Sequence, residues 1–161
     1  MSDELKMDVQ EDNDEILEIL QEAVNAETTS RNLYWSRWHY WREKGFKNLG
    51  HYYKEQAEEK HAQRVERRCL ALSGMPSLTP AHTIAVGGSI TEQFNEDLEV
   101  ESALAESYRE WITRASELKD FVTEDLLRKS LKETEKHVRW LQKQINRINE
   151  IGEENYLQTW I

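Results

Sequence analysis

Residues that interrupt helices are scarce in this chain. Only 2 prolines and 6 glycines occur among 161 residues, so long helices are expected. The single cysteine, Cys69, excludes an internal disulfide and is typical of a reducing compartment. No apolar run approaches the length of a membrane span, and the acidic N-terminus lacks the basic and apolar regions of a signal peptide. We therefore expect a cytoplasmic protein with no membrane partner.

Positive charge is also in deficit. Lys and Arg number 21 against 31 Asp and Glu, which gives a net charge of −10, and no basic run occurs. Nucleic acids and anionic membranes are therefore poor partners, whereas cations are better ones. Hydrophobic residues make up 38% of the chain, which is enough for one core. The length fits a single domain spanning residues 1–161.

Helical periodicity divides the chain into four long helices and a short fifth. The acidic residues 1–11 carry no pattern and are expected to be a frayed end. The predicted long helices cover about 12–43, 47–72, 90–116 and 121–149, and residues 153–161 form the short C-terminal helix. The long connection at 74–89 is typical of a crossover between helices that run the same way. The sequence therefore predicts an all-α four-helix bundle running up, down, down and up.

Each long helix carries a residue capable of binding metal in its apolar stripe. Glu58 and His61 stand three residues apart, which places a carboxylate and an imidazole on one helix face. Glu27, Glu101 and His137 occupy the stripes of the other helices. Buried carboxylates are costly without partners, so this set predicts a metal centre of oxygen and nitrogen ligands suited to iron, manganese or zinc. The competing interpretation is a group of buried polar side chains satisfied by hydrogen bonds.

Six segments carry a resemblance to a known family. They are residues 26–34, 58–62, 72–78, 97–101, 137–141 and the tail at 151–158. Together they cover nearly the whole chain and resemble the bacterioferritins, which are iron-storage proteins of the ferritin family. The tail and the turn Gly74-Met75-Pro76-Ser77-Leu78 are more specific than the ligand positions, which all ferritin-like diiron proteins share.

The resemblance implies a ferritin-like bundle that assembles into a hollow 24-subunit cage and serves iron homeostasis. It implies ferroxidase activity on ferrous iron at an intrasubunit diiron site of non-haem iron, with storage of ferric mineral inside the cage. By position, Glu27 and Glu101 would be terminal ligands, Glu58 a bridge, His61 and His137 one nitrogen ligand each, and Tyr34 an auxiliary tyrosine beside the site.

The chain departs from the family pattern at two functional positions. Thr134 stands where the family has a second bridging glutamate, three residues before His137, so the site loses a negative charge. Glu59 stands where the family has a haem-ligating methionine, so haem is not expected in a homomer. Glu133 and Glu135 each point about 100° away from Thr134 on an ideal helix and are not expected to compensate.

A third departure concerns the length of the second helix. The stretch from Gly45 to His61 is about two residues shorter than in the family, so this helix is expected to start differently. With only one bridging carboxylate left, we expect one well-occupied metal position, or none, rather than a full diiron pair.

Three functions remain open at this point. The first is an iron-storage cage subunit whose ferroxidase site is weakened by Thr134. The second is a non-catalytic partner subunit in a cage shared with a paralogue, because the bridge and the haem methionine are both missing. The third is another diiron or dimanganese oxidase built on the same bundle, against which the cage-type tail argues.

Overall fold

Helices form the fold in the residues that the computed structural model describes, namely 3–59, 61–83 and 85–161. They are α1 (Asp3–Glu43), α2 (Lys47–Ala57), α3 (His61–Ala71), α4 (Ile90–Glu117), α5 (Phe121–Ile151) and α6 (Glu153–Gln158). Because α2 and α3 together form the second member of the bundle, the predicted four-helix architecture with a short C-terminal helix is confirmed. No helix in this part of the chain has the length and apolar character needed to span a bilayer.

Contacts between helices set the direction of each one. Along α1 the contacts meet α4 in reverse order, from Tyr34 with Glu101 to Glu27 with Tyr108, so these helices are antiparallel. The contacts between α3 and α5 are reversed in the same way. The segment 72–89 then joins the end of α3 to the start of α4 and bonds to α1 on the way. This is the predicted up-down-down-up bundle with one long crossover.

Two helix boundaries follow the predicted capping signals. Ser89 Oγ accepts a hydrogen bond from the Glu92 amide at 3.1 Å, and Glu92 accepts one from the Ser89 amide at 3.0 Å. Gly152 ends α5 with a φ of 81°, a conformation that glycine adopts without strain. The start of α1 differs from the prediction, because the helix begins at Asp3 and includes most of the segment expected to be frayed. That segment contains no proline or glycine to stop the helix.

The second bundle member is interrupted, although one continuous helix was predicted. α2 buries Leu49 and Tyr53, whereas α3 buries Val65 and Cys69. On one ideal helix these two pairs would point about 160° apart, so a single straight helix exposes one of them. Interrupting the helix lets both pairs face the core. The prediction was wrong because it joined residues from both stripes into one.

Two apolar clusters fill the bundle and leave a polar layer between them. One cluster packs the first half of α1 with α3 and the second half of α4. The other packs the second half of α1 with α2, the start of α4 and the second half of α5. Glu27 and Glu101 are buried in the layer between these clusters, with His61 and His137 beside them. The candidate site therefore lies near the middle of the bundle.

Candidate metal centre

Two carboxylate–imidazole pairs occupy the polar layer. Glu27 Oε1 lies 3.5 Å from Nδ1 of His61, and Glu101 Oε1 lies 3.6 Å from Nδ1 of His137. Only 7% of each glutamate side chain and 12% of each histidine side chain is exposed. The structure thus brings together four of the predicted ligands, as two pairs with nearly the same geometry.

Each carboxylate also accepts a hydrogen bond from a tyrosine on the opposite helix. The Tyr34 hydroxyl on α1 donates to Glu101 at 2.7 Å, and the Tyr108 hydroxyl on α4 donates to Glu27. Burial raises the pKa of both tyrosines well above the usual range, and the neighbouring carboxylates raise it further, so both stay protonated donors. Tyr108 was missed in the sequence, although a glutamate followed seven residues later by a tyrosine occurs in both α1 and α4.

Glu58, the predicted bridging ligand, does not face the centre. It caps the C-terminal end of α2, with 55% of its side chain exposed and Oε1 3.6 Å from Nζ of Lys54. The helix interruption explains this position, because Glu58 continues α2 and lies about 100° around that helix from the buried Ala57. The residue that reaches the histidine is Glu59, whose Oε2 lies 3.0 Å from Nε2 of His61.

Glu133 also contacts His61, contrary to the prediction that it would not take part in the site. Its Oε2 lies 2.7 Å from Nε2 of His61 and accepts a hydrogen bond from Arg64 at 3.0 Å. Glu133 reaches the ring because α5 presents this side of its surface to α3 rather than to the bundle axis. Glu135, as expected, stays outside and pairs with Arg109 at 2.7 Å.

The carboxylates around His61 control its protonation. Burial by itself lowers the pKa of His61, but hydrogen bonds and charge from Glu27 and Glu59 outweigh burial and raise it to about 10. The metal-free protein therefore holds His61 as an imidazolium at neutral pH. A metal ion that binds at Nδ1 must displace a proton, which couples binding to pH.

His137 has a different outer neighbour. Its Nε2 lies 2.7 Å from the Tyr52 hydroxyl, whose ring stacks on Trp140 with centroids 4.4 Å apart. Burial lowers the pKa of His137, but the hydrogen bond and charge of Glu101 outweigh it, so the net shift is upward. Tyr52 was expected only as part of an apolar stripe.

Thr134 occupies the second bridging position and supplies no charge. It is buried one turn before His137, and its Oγ1 has no hydrogen-bond partner among the described residues. With Glu58 turned outward as well, neither of the two bridging positions directs a carboxylate into the layer.

A cavity of about 20 Å³, room for one water or ion, touches both pairs. Among the described residues, no three His, Cys, Asp or Glu side chains form a group that could hold a metal ion. The donor chemistry of each pair, one carboxylate oxygen and one imidazole nitrogen, fits ferrous iron. The arrangement does not match the predicted pair of ions bridged at positions 58 and 134, because neither Glu58 nor Thr134 places a carboxylate in this cavity, whose lining carboxylates are Glu27, Glu59 and Glu101.

A four-helix bundle with one long crossover and a central set of glutamates and histidines defines a ferritin-like protein. Residues 17–151 match the ferritin family model, described as a ferritin-like domain. The chain is 32% identical over 154 residues to a bacterial ferritin of Neisseria meningitidis serogroup B, covering 91% of this chain and 97% of that protein. It is 31% identical over 149 residues to a bacterioferritin of Streptomyces coelicolor, covering 91% of this chain and 89% of that protein. The chain belongs to the ferritin family.

Proposed function

We propose that this chain is an iron-storage subunit of a bacterioferritin-like cage, and that Fe(II) is the substrate of its two carboxylate–imidazole pairs. The observation that carries the proposal is the burial of Glu27 with His61 and of Glu101 with His137 at the centre of a ferritin-family bundle. Burying carboxylates costs free energy, and cations bound at the site would offset that cost.

The residues of each half have separable roles in this proposal. Glu27 and Glu101 supply negative charge and oxygen ligands, and the histidines supply Nδ1 once the proton on that nitrogen has left. Tyr34 and Tyr108 hold the carboxylates in place through their hydrogen bonds. The bound iron supplies electrons to dioxygen or peroxide. Because neither of the two bridging positions supplies a carboxylate, we expect two ions to be held together weakly and oxidation to be slow.

Ions have a short route to these pairs from outside the bundle. An open pocket of about 910 Å³ lies between α2, α3 and α5, and Glu58, Glu59 and Glu133 are among its lining residues. His61 and His137 line both this pocket and the inner cavity. Acidic side chains at the mouth of such a pocket attract divalent cations and raise their local concentration.

Assembly into a cage is supported by apolar side chains that the single subunit leaves exposed. Met75 and Leu78 in the crossover are 86% and 55% exposed, and Phe121 and Val122 at the start of α5 are 64% and 62% exposed. Groups of large apolar side chains in water are typical of surfaces that other subunits cover.

Iron loading tests the proposal directly. Fe(II) is added in air, the ferric absorbance is followed, and the iron that co-elutes with protein is measured by size-exclusion chromatography. We expect the wild type to retain iron, and the double variant Glu27→Gln/Glu101→Gln to oxidise Fe(II) about 10 to 100 times more slowly. Glu110→Gln is the matched control and should behave as the wild type, because Glu110 is exposed on α4 and lines neither the pocket nor the inner cavity. Equal rates in the double variant and the wild type would contradict the proposal.

A second candidate, a non-catalytic partner subunit in a mixed cage, is favoured by one specific observation. Both bridging positions lack a carboxylate in the layer, since Glu58 faces solvent and Thr134 carries no charge. Such a subunit would contribute shell and storage volume while a paralogue oxidises the iron. Native mass spectrometry of the protein purified from its source separates the two candidates, because a purely homomeric cage rules out the second.

A further inference from the structure

The two carboxylate–imidazole pairs are alike on their inner side and different on their outer side. Nδ1 of each histidine faces its glutamate at nearly the same distance, 3.5 Å for His61 and 3.6 Å for His137. On the outer side, Nε2 of His61 lies 3.0 Å from Glu59 and 2.7 Å from Glu133. The corresponding atom of His137 meets only a neutral partner in these contacts, the Tyr52 hydroxyl at 2.7 Å.

The helix interruption is what brings Glu59 to His61. Side chains two residues apart on a continuous helix point about 200° apart and do not meet. Glu59 lies outside both α2 and α3, so its backbone is free of helical geometry and its carboxylate turns back onto the ring. The same interruption turns Glu58 away. The interruption therefore turns the carboxylate at the predicted bridging position outward and brings the carboxylate of the next residue onto Nε2 of His61.

A carboxylate on the outer nitrogen changes what the inner nitrogen can do. A histidine that donates its outer N–H to a carboxylate is fixed in one tautomer and one ring orientation, and its other nitrogen becomes a stronger ligand. Arg64 donates two hydrogen bonds to Glu133, at 3.0 and 3.4 Å, and its guanidinium partly neutralises the negative charge of that carboxylate. Glu59 is therefore the better candidate for the group that acts on His61.

We propose that Glu59 is a positioning residue for His61, and that it makes the pair of Glu27 with His61 the tighter of two unequal cation sites. This inference rests on the proposed function, because it assumes that both pairs bind divalent cations. It concerns a residue that contacts His61 at Nε2, the nitrogen that faces away from Glu27, and that lines both the outer pocket and the inner cavity.

Titration with Co(II), a divalent ion that is stable in air and has visible absorption bands, tests the inference on the full cage. Glu27→Gln and Glu101→Gln assign the tight and the weak binding phase to their pairs. We expect Glu59→Gln to weaken the tight phase about 10 to 100-fold and to weaken the other phase much less, because Glu59 contacts His61 and acts on His137 only through its charge. Tyr52→Phe should weaken only the other phase. Glu59→Asp, which keeps the carboxylate, should retain more affinity than Glu59→Gln, and Glu110→Gln, at an exposed position that lines neither the pocket nor the cavity, is the matched control.

Two results would overturn the positioning role while leaving the metal centre intact. One is unchanged binding in Glu59→Gln, and the other is an equal loss in both phases, which indicates a merely structural effect. Failure of the wild type to bind Co(II), or binding that Glu27→Gln and Glu101→Gln do not alter, would overturn the proposed function as well. Thermal unfolding of each variant identifies any that do not fold. If Glu59→Gln does not fold, a retained tight phase in Glu59→Asp supports the positioning role, and a lost tight phase in a folded Glu59→Asp contradicts it.

Discussion

Replacing Thr134 with glutamate restores a carboxylate to the layer between the two pairs. The position is 1% exposed, and the present hydroxyl has no hydrogen-bond partner among the described residues. In the metal-free protein the new carboxylate would join Glu27 and Glu101 in a region that already lacks solvent. We therefore expect the variant Thr134→Glu to be less stable than the wild type without metal and to be stabilised more than the wild type by added metal.

The magnitude follows from the cost of an unpaired buried charge. Leaving such a charge without a partner costs about 3 kcal/mol, with protonation of the carboxyl limiting the loss. For a chain of this size a loss of 3 kcal/mol lowers the unfolding midpoint by about 6 to 12 °C. A divalent ion at 100 times its dissociation constant returns about 2.7 kcal/mol per site. Two ions held by a bridging carboxylate would thus more than offset the loss.

Scanning calorimetry in EDTA and in excess Zn(II), which does not undergo redox chemistry, measures both effects. Thr134→Gln is the matched control, because it has a similar size but no charge and should show no extra response to metal. A wild-type midpoint for Thr134→Glu in EDTA, or an equal rise of both midpoints in Zn(II), would show that the new carboxylate is neither an unpaired buried charge nor a bridge between metal ions.

Three further predictions concern stability, haem and assembly. Burial raises the pKa of Asp120, but hydrogen bonds from Thr123 and the charge of Arg68 outweigh burial and lower it. A depressed pKa stabilises the fold fully above the ordinary value near pH 4, and this effect is lost as the pH falls through the lowered pKa. Asp120→Asn should therefore cost about 1 kcal/mol at pH 7 and progressively less as the pH falls below 4, measured by thermal unfolding. A purified homomer should show no stoichiometric Soret band, because Glu59 offers an anionic oxygen that already contacts His61 instead of a thioether. Sedimentation velocity at physiological salt should show an assembly and no monomer, and a monomer alone would refute the cage.

Much of the fold was predictable because its signals are local. The capping box at Ser89 and the glycine at 152 mark the ends of helices whose apolar stripes are regular, and the structure places both boundaries there. The interruption after Ala57 was not predicted, although the shortened stretch before His61 gave a signal for it. Removing two residues from a helix turns everything after them by about 200°, and only a break in the helix lets both stripes reach the core.

The candidate site was likewise predictable from the sequence only in part. Glu27, Glu101 and His137 lie on long uninterrupted helices, so their positions follow from periodicity, and their role as ligands stays a prediction. Glu58 and Glu59 flank the interruption, where helical phase no longer determines the direction of a side chain. Their exchange of roles could be seen only once the backbone was known. Tertiary packing of α5 against α3, which sequence periodicity does not contain, likewise brings Glu133 to His61.

Anomalous diffraction at the iron edge from crystals soaked in Fe(II) tests whether the two carboxylate–imidazole pairs bind iron unequally, because it locates each iron relative to named side chains. We expect the strongest iron beside Glu27 and His61, a weaker one or none beside Glu101 and His137, and no iron bound by Glu58. Two equally occupied irons bridged by Glu58 would contradict this expectation.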